Sequence, residues 1–283
     1  MNSRIVGRFE PFISESELQK ILNFTQDDSH YDEFRIGDWK TFVIWNDTGA
    51  DGDGVVSDRG GLATPTSRGR GLPTLNQWIT DTFDTRRLKL VRIHSLGDGV
   101  LVPHRDFVEF DPGSHPWTRI HVPIMTNDAC LHSEDEQVFR MRAGEIWHLD
   151  ATRLHSATNF SRARRLNVCL DFALGNDHVD SIFRIPNCLD PSIRSEKIDR
   201  PAMSQAFLDG ILGLSRILTE HNYRDIVGLL SKVHFYRDVG IGHFFDWLIT
   251  ISQRSGLDAL YEKSLAYSRF LQTERRLSER FVL

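Results

Sequence analysis

A chain of 283 residues, 40% hydrophobic and 26% charged, is long enough for one large domain, or a core with a smaller unit, around a real apolar interior. Its formal net charge of −5 argues against nucleic acid as the main partner, which asks for a basic face. It has no apolar run of the roughly eighteen residues a membrane span needs, and Met1–Ile5 does not open a secretory leader, so no membrane partner is expected.

A strand is predicted from Arg4 to Phe9 and a helix from Ser14 or Ser16 to Phe24. Ser14 with Glu17 three residues on makes a capping-box signature, and Leu18, Ile21 and Leu22 supply an apolar stripe. Trp39–Trp45 alternates like a strand. Residues 46–73, rich in Gly, Asp, Ser and Thr, read as a long loop, either a lid over a site or a surface excursion. Helical spacing returns from Leu75 to Phe83. Short strands with turn residues between them follow at Leu88–Ile93, Val100–Val102, Ile120–Met125, Gln137–Met141, Glu145–Leu149 and Arg165–Ala173, the pattern of an antiparallel sandwich or barrel. Prolines 186, 191 and 201 mark a linker. Met203–Leu218, Asn222–Phe235, Gly242–Arg254 and Leu257–Ser278 then carry helical apolar repeats. The expected organisation is a mainly β core over residues 1–185, a linker at 186–202 and a C-terminal helical domain at 203–283 that packs on the core, dimerises the chain, or both. Cys130, Cys169 and Cys188 form no CxxC pair, which predicts a reduced, cytoplasmic chain without a disulfide framework.

The chemistry concentrates at Pro103-His104-Arg105-Asp106-Phe107. On a strand continuing from Val100-Leu101-Val102, residues i and i+2 share a face, so His104 and Asp106 aim an imidazole and a carboxylate at one point. His155, in Leu154-His155-Ser156-Ala157, is a third candidate. Two imidazoles and one carboxylate leave the remaining positions of an octahedral metal open, the ligand set of non-heme Fe(II) oxygenases. Downstream, Leu166, Val168, Leu170 and Phe172 take one strand face, and Arg165 and Asn167 the other. An inward arginine beside a metal needs an anionic partner, because a buried unpaired charge is costly. The carboxylate of a metal-chelating 2-oxo acid would supply it. Of the twelve histidines, His30, His115, His132, His178 and His243 have no partner pattern and are expected at the surface. His148 reads as a strand histidine with a structural role. His221 and His234 are expected in the helical tail, away from the metal.

Several strings together carry a family resemblance: Tyr31-Asp32-Glu33-Phe34 with Trp39, Pro103–Glu109, Gly144-Glu145-Ile146-Trp147, Leu149-Asp150-Ala151, His155-Ser156-Ala157, Asn222–Asp225, Leu230–His234 and Asp246-Trp247-Leu248. With these the sequence resembles the bacterial Fe(II)/2-oxoglutarate-dependent proline or pipecolic acid hydroxylases, within the wider aspartyl/asparaginyl hydroxylase group. The resemblance implies a double-stranded β-helix, a jelly-roll or cupin-like core. It implies Fe(II) on His104, Asp106 and His155, with 2-oxoglutarate and O2 as cosubstrates. It implies that Arg165 holds the distal carboxylate of 2-oxoglutarate, that Arg119 and His121 face the same cavity, and that Arg119 contacts a carboxylate of cosubstrate or substrate. Arg92 takes the place of a substrate-carboxylate arginine, and Trp39 that of an aromatic wall against the substrate ring. His94 stands where an arginine is frequent in relatives, and the loop from Asp111 to Trp117 is longer. An intact Asp106 argues for hydroxylation over halogenation.

The expected reaction hydroxylates a ring carbon of a free cyclic imino acid, L-proline or L-pipecolic acid, with 2-oxoglutarate decarboxylated to succinate. Alternatives are another free amino acid, an aspartyl or asparaginyl residue of a peptide, or a metal-binding β-sandwich that acts only as sensor or scaffold. A free acid predicts two separate arginine clamps and a closing lid; a peptide predicts an open groove.

Overall fold

A computed structural model describes residues 2–10, 13–25, 32–56, 59–106, 117–174, 177–184, 194–276 and 279–283. Tyr31, Phe107–Glu109, Asp111–Pro116, His30, His115, Cys188, Pro186, Pro191 and linker positions up to 193 lie outside them. In chain order the elements are β1 (Arg4–Arg8), α1 (Glu15–Leu22), β2 (Arg35–Asn46), β3 (Thr64–Pro65), α2 (Ser67–Arg70), α3 (Pro73–Thr82), β4 (Leu88–His104), β5 (Trp117–Met125), β6 (Cys130–Glu134), β7 (Gln137–Arg140), β8 (Glu145–Leu149), β9 (His155–Asn159), β10 (Arg165–Ala173), β11 (Glu196–Lys197), α4 (Gln205–Leu212), α5 (Tyr223–Tyr236), α6 (His243–Arg254) and α7 (Asp258–Gln272). No helix among the described residues is long and apolar enough to cross a membrane, and Cys130 and Cys169 are buried free thiols.

The strands form a single antiparallel sheet in the order β1-β8-β5-β10-β4-β9-β6-β7-β11, with β2 added on β4 and β3 on β2. One cavity is lined by residues of β2, β4, β5, β6, β8, β9 and β10, so the sheet curls round it in the manner of a double-stranded β-helix. Period-two alternation sorts the two faces of β10. Leu166, Val168, Leu170 and Phe172 are fully buried in an outer cluster with Ile21 of α1 and Leu75 and Ile79 of α3. Arg165 and Asn167 point the other way and line the cavity. Helix α1 starts as its sequence predicts, with the Ser14 side chain accepting from the Glu17 N–H at 3.2 Å.

The structure departs from the sequence expectation at several points. Leu88–Ile93 and Val100–Val102 are not two strands but one, β4, pairing with β10 in its first half, with β9 in its second and with β2 across both, from Val91 to Leu101. Gly97-Asp98-Gly99 does not interrupt it. Gly99 lets β2 approach, since a Cβ there would lie 2.7 Å from the Ile36 carbonyl oxygen. Strands β6 and β9 went unpredicted because they lack apolar alternation: Ser133, Glu134, Ser156, Thr158 and Asn159 are polar and fully buried. Pairing on both sides satisfies their backbones. Ser156, Thr158 and Asn159 donate to carbonyls, as Thr158 Oγ1 does to Gly99 O at 2.8 Å, Glu134 accepts from the Ser3 N–H at 2.9 Å, and Ser133 bonds to His234. Residues 46–73 hold β3 and α2, and none of those described lines the cavity. The span predicted as one helix from Met203 to Leu218 breaks at Gly213, where α4 gives way to a 3₁₀ turn. Helix α7 stops at Gln272, short of Ser278.

Helices α5, α6 and α7 share a buried cluster with Phe34, Val102 and Leu154. Val102 and Leu154 immediately flank the segments carrying His104 and His155, so this cluster sits directly behind the candidate metal ligands.

Candidate active site

β4 ends at His104 and β9 begins at His155, and the antiparallel register sets these two opposite each other. Their rings lie 4.3 Å apart between centroids. Asp106 is past the end of the strand rather than on it. Its position is held by two backbone bonds, Asp106 N–H to Ala151 O at 2.8 Å and Arg105 N–H to Leu271 O at 3.0 Å. The ligand atoms of His104, Asp106 and His155 all lie within 4.8 Å of one another.

The surrounding bonds make this donor set suitable for a divalent metal. Nδ1 of His104 lies 2.7 Å from Val102 O and Nδ1 of His155 lies 3.0 Å from Arg153 O. A carbonyl only accepts, so both Nδ1 atoms carry their protons and both Nε2 lone pairs are left for a metal. Burial, followed by the charge of His155, pushes the His104 pKa down to about 3, so its ring is neutral. Burial opposes ionisation of Asp106, but the guanidinium of Arg119 above all, with that of Arg275, outweighs it and holds the carboxyl far below its ordinary range. Neutral imidazoles and an ionised carboxylate are what Fe(II) requires.

Every residue singled out from the sequence lines the same cavity, of about 740 Å³ including its mouth: His104, Asp106, His155, Arg165, Arg119, His121, Arg92 and Trp39. The arginines fall into two groups. Arg119 bonds to Asp106 Oδ2 and, through Nε, to Asp171 Oδ1 at 2.6 Å; Arg92 bonds to Asp171 Oδ2 at 2.7 Å. Asp171 is fully buried and braces both guanidiniums. Arg165 has no carboxylate partner among the described residues. Its contacts are His132 Nε2 at 2.5 Å and Met141 Sδ at 3.7 Å, and burial lowers its pKa to about 10. Further unmatched polar atoms belong to cavity-lining residues: His121 Nε2 and Asn167 Oδ1 are buried with no hydrogen-bond partner.

His132 corrects the expectation of a surface histidine: it is buried, lines the cavity and accepts from Arg165. Nothing in its local sequence announces this, because β6 itself was not recognised. His178 and His243 are exposed as expected, His221 is exposed in the turn before α5, and His148 sits half-buried on β8. His234, in α5, bonds to Ser133 Oγ at 2.8 Å. Three further residues were missed. Asp171 shares the strand face of Arg165 and Asn167, and that alternation is the signal that could have found it. Thr41 lies two residues from Trp39 and lines the cavity. Arg275, beyond α7, donates to Arg105 O at 2.8 Å and comes within 3.6 Å of Asp106 Oδ1, a contact no local motif encodes.

Comparison with known proteins agrees with this geometry. Residues 14–174 match the family described as aspartyl/asparaginyl beta-hydroxylase, and residues 180–279 match L-proline 3-hydroxylase, C-terminal. L-proline cis-3-hydroxylase 1 of Streptomyces sp is 36% identical over 294 residues, covering 100% of this chain and 99% of the relative. The chain belongs to the aspartyl/asparaginyl β-hydroxylase family. Within it, L-proline cis-4-hydroxylase of Rhizobium meliloti (strain 1021) is 34% identical over 260 residues, covering 91% of each chain. A solved structure of an oxidoreductase of the 2OG-Fe(II) oxygenase family from Burkholderia pseudomallei covers 58% of this chain and 81% of its own at 12% identity; its TM-score of 0.37 adds no argument. As a hydroxylase of this family, with the His104, Asp106 and His155 site in place, the chain uses Fe(II), 2-oxoglutarate and O2.

Proposed function

We propose that this hydroxylase acts on a ring carbon of a free cyclic imino acid, L-proline or its six-membered homologue L-pipecolic acid. The observation that carries the reading is the presence of two separately held cationic groups on one cavity with the His104, Asp106 and His155 cluster: Arg165 without a carboxylate partner among the described residues, and Arg92 with Arg119 on Asp171. Two groups of cations suit two carboxylates, that of a keto-acid cosubstrate and that of a free amino or imino acid. The names of the relatives, L-proline cis-3- and cis-4-hydroxylases, support the substrate class.

In this reading His104, Asp106 and His155 would hold the iron, each imidazole through the Nε2 that its Nδ1 bond leaves available. Arg119 bonds to Asp106 Oδ2 and so fixes the orientation of the carboxylate. Arg165 takes the distal carboxylate of 2-oxoglutarate, with His132 accepting one of its N–H groups so that the fork is held in one orientation. His121 faces the cosubstrate side. Arg92 receives the substrate carboxylate, Arg119 extends that positive surface, and Trp39 walls the ring. Bound iron supplies the oxidising chemistry, in which one atom of O2 enters succinate, the other becomes the new hydroxyl, and carbon dioxide is released. The side chains orient both acids and keep water out; a displacement of about 1 Å can cost on the order of a hundredfold in rate. We assign this chemistry to the β core, 1–185, and a bracing role to helical residues 203–283, whose cluster backs the ligand segments.

The test is a panel of free amino and imino acids with Fe(II), 2-oxoglutarate and O2, products being resolved by ring position and stereochemistry. Proline or pipecolic acid should yield a hydroxylated product with one succinate formed per turnover. Exclusive turnover of an acyclic amino acid or of a peptide would overturn the substrate assignment. One ring methylene is worth only about 1–3 kcal/mol in an apolar pocket, so both cyclic acids are expected to react with different efficiency.

A further inference from the structure

Trp39, Thr41 and His94 form a hydrogen-bonded chain that the chemistry above leaves unused. β2 and β4 pair with Thr41 opposite His94 and Trp39 opposite Leu96, which brings the three side chains to the cavity side of the sheet. The indole Nε1–H of Trp39 can only donate, and it meets Thr41 Oγ1 at 3.0 Å. Thr41 then has its own proton to place. Among the described residues its one acceptor is Nδ1 of His94, 3.0 Å away. A donation from His94 to Thr41 would leave the half-buried hydroxyl proton without an acceptor among the described residues, which costs free energy. So Nδ1 accepts, and a neutral ring that accepts at Nδ1 carries its proton at Nε2. The ring is neutral because it is buried and because Arg92, Arg119 and Arg165 already place three positive charges around it. Its Nε2 has no hydrogen-bond partner among the described residues, and the ring stacks on Trp39 at 5.1 Å.

Resting on the imino-acid reading of the cavity, we propose that Thr41 fixes His94 as the Nε2–H tautomer, and that this N–H is a neutral donor to the substrate carboxylate beside Arg92. Arg92 and His94 are two residues apart on β4 and line the same cavity, so a single carboxylate can meet a charged fork and an uncharged donor together. The uncharged donor adds a bond without adding a fourth cation to a crowded site. Thr41 is a positioning residue; His94 touches substrate. The same chain orients the Trp39 wall, so ring placement and carboxylate placement are set by one device.

The experiment has two readouts. Nitrogen-15 NMR of the histidine rings in the metal-free protein reports the His94 tautomer with no substrate present. Steady-state kinetics with L-proline and L-pipecolic acid reports KM for the imino acid and for 2-oxoglutarate separately. Wild-type protein should show Nε2–H at His94. Thr41→Val should mix the tautomers and raise the imino-acid KM about three- to tenfold, the worth of one neutral hydrogen bond, with the 2-oxoglutarate KM within about twofold. Thr41→Ser, which keeps the hydroxyl, should restore both signatures. His94→Phe, which keeps the stacking ring and removes the donor, should raise the imino-acid KM by at least as much as Thr41→Val. A wild-type His94 protonated at Nδ1, or a Thr41→Val protein with unchanged tautomer and KM, would overturn the proposal. Turnover of neither cyclic acid by wild type would instead overturn the substrate reading, and the NMR would still decide whether Thr41 sets the tautomer.

Discussion

Two arginine environments face one cavity, and they differ in where the counter-charge comes from. Arg92 and Arg119 are neutralised by the protein itself, through Asp171 and Asp106. Arg165 is equally buried but, among the described residues, its side chain bonds to an imidazole and a thioether and to no carboxylate, and burial depresses its pKa. The first pair is a finished structural network; the second is a charge kept waiting for a ligand. A buried cation without an anion costs stability, so in the proposed reading Arg165 is kept for binding, whereas Arg92 and Arg119 would serve folding and binding together.

The largest effect that would break this contrast is on the Asp171 side. Asp171→Ala removes the shared carboxylate from two buried guanidiniums and should destabilise the fold by roughly 3–5 kcal/mol, read from urea unfolding. A loss under about 1 kcal/mol would mean the network does not brace the core. Arg165→Met should do the opposite to the metal-free protein, leaving its stability unchanged or higher. The same variant should raise the 2-oxoglutarate KM about ten- to a hundredfold, the worth of one or two charge-assisted bonds, and the imino-acid KM much less. If the imino-acid KM moved more, the two arginine groups would have to exchange roles.

A buried base outside the cavity sharpens the comparison. His234 accepts or donates at Ser133 Oγ, and burial, then the nearby charge of Arg200, brings its pKa down to about 3. In the unfolded chain it titrates near its ordinary value of about 6.5. Between these values the unfolded chain binds a proton that the native chain refuses. The contribution of His234 to stability is therefore complete above about pH 6.5 and is lost as pH falls toward 3, by up to about 1.4 kcal/mol per unit. His234→Gln should flatten this part of the stability profile in denaturation measured between pH 7 and 4; an unchanged slope would show that other groups control it.

The smallest effect concerns the reach of the paired network. Arg275→Ala removes a contact to Asp106 Oδ1 and a bond to the Arg105 carbonyl. It should loosen the Asp106 segment and weaken Fe(II) or Co(II) binding several-fold, about 1 kcal/mol, in a titration without substrate. Unchanged metal affinity would confine the role of Arg275 to packing on Phe34, over whose ring it lies at 5.1 Å.

What was legible in the chain itself followed from local rules. The alternation of β10 and the Ser14 cap needed only backbone periodicity, and each is present in the fold; His104 and Asp106 do meet, but Asp106 is placed by backbone bonds beyond the strand end and not by strand alternation. The helical tail was equally plain from its apolar repeats. Strands β6 and β9 were invisible because their burial is of polar residues, whose hydrogen bonds come from neighbours far away in sequence. Only the curled sheet could bring Asp171 to Arg92 and Arg119, set His132 against Arg165, and carry Arg275 from beyond α7 to the ligand Asp106. Those contacts join residues separated by 33 to 169 positions along the chain, and pairing at such range is decided by strand register and helix packing, which no local pattern of residue types records.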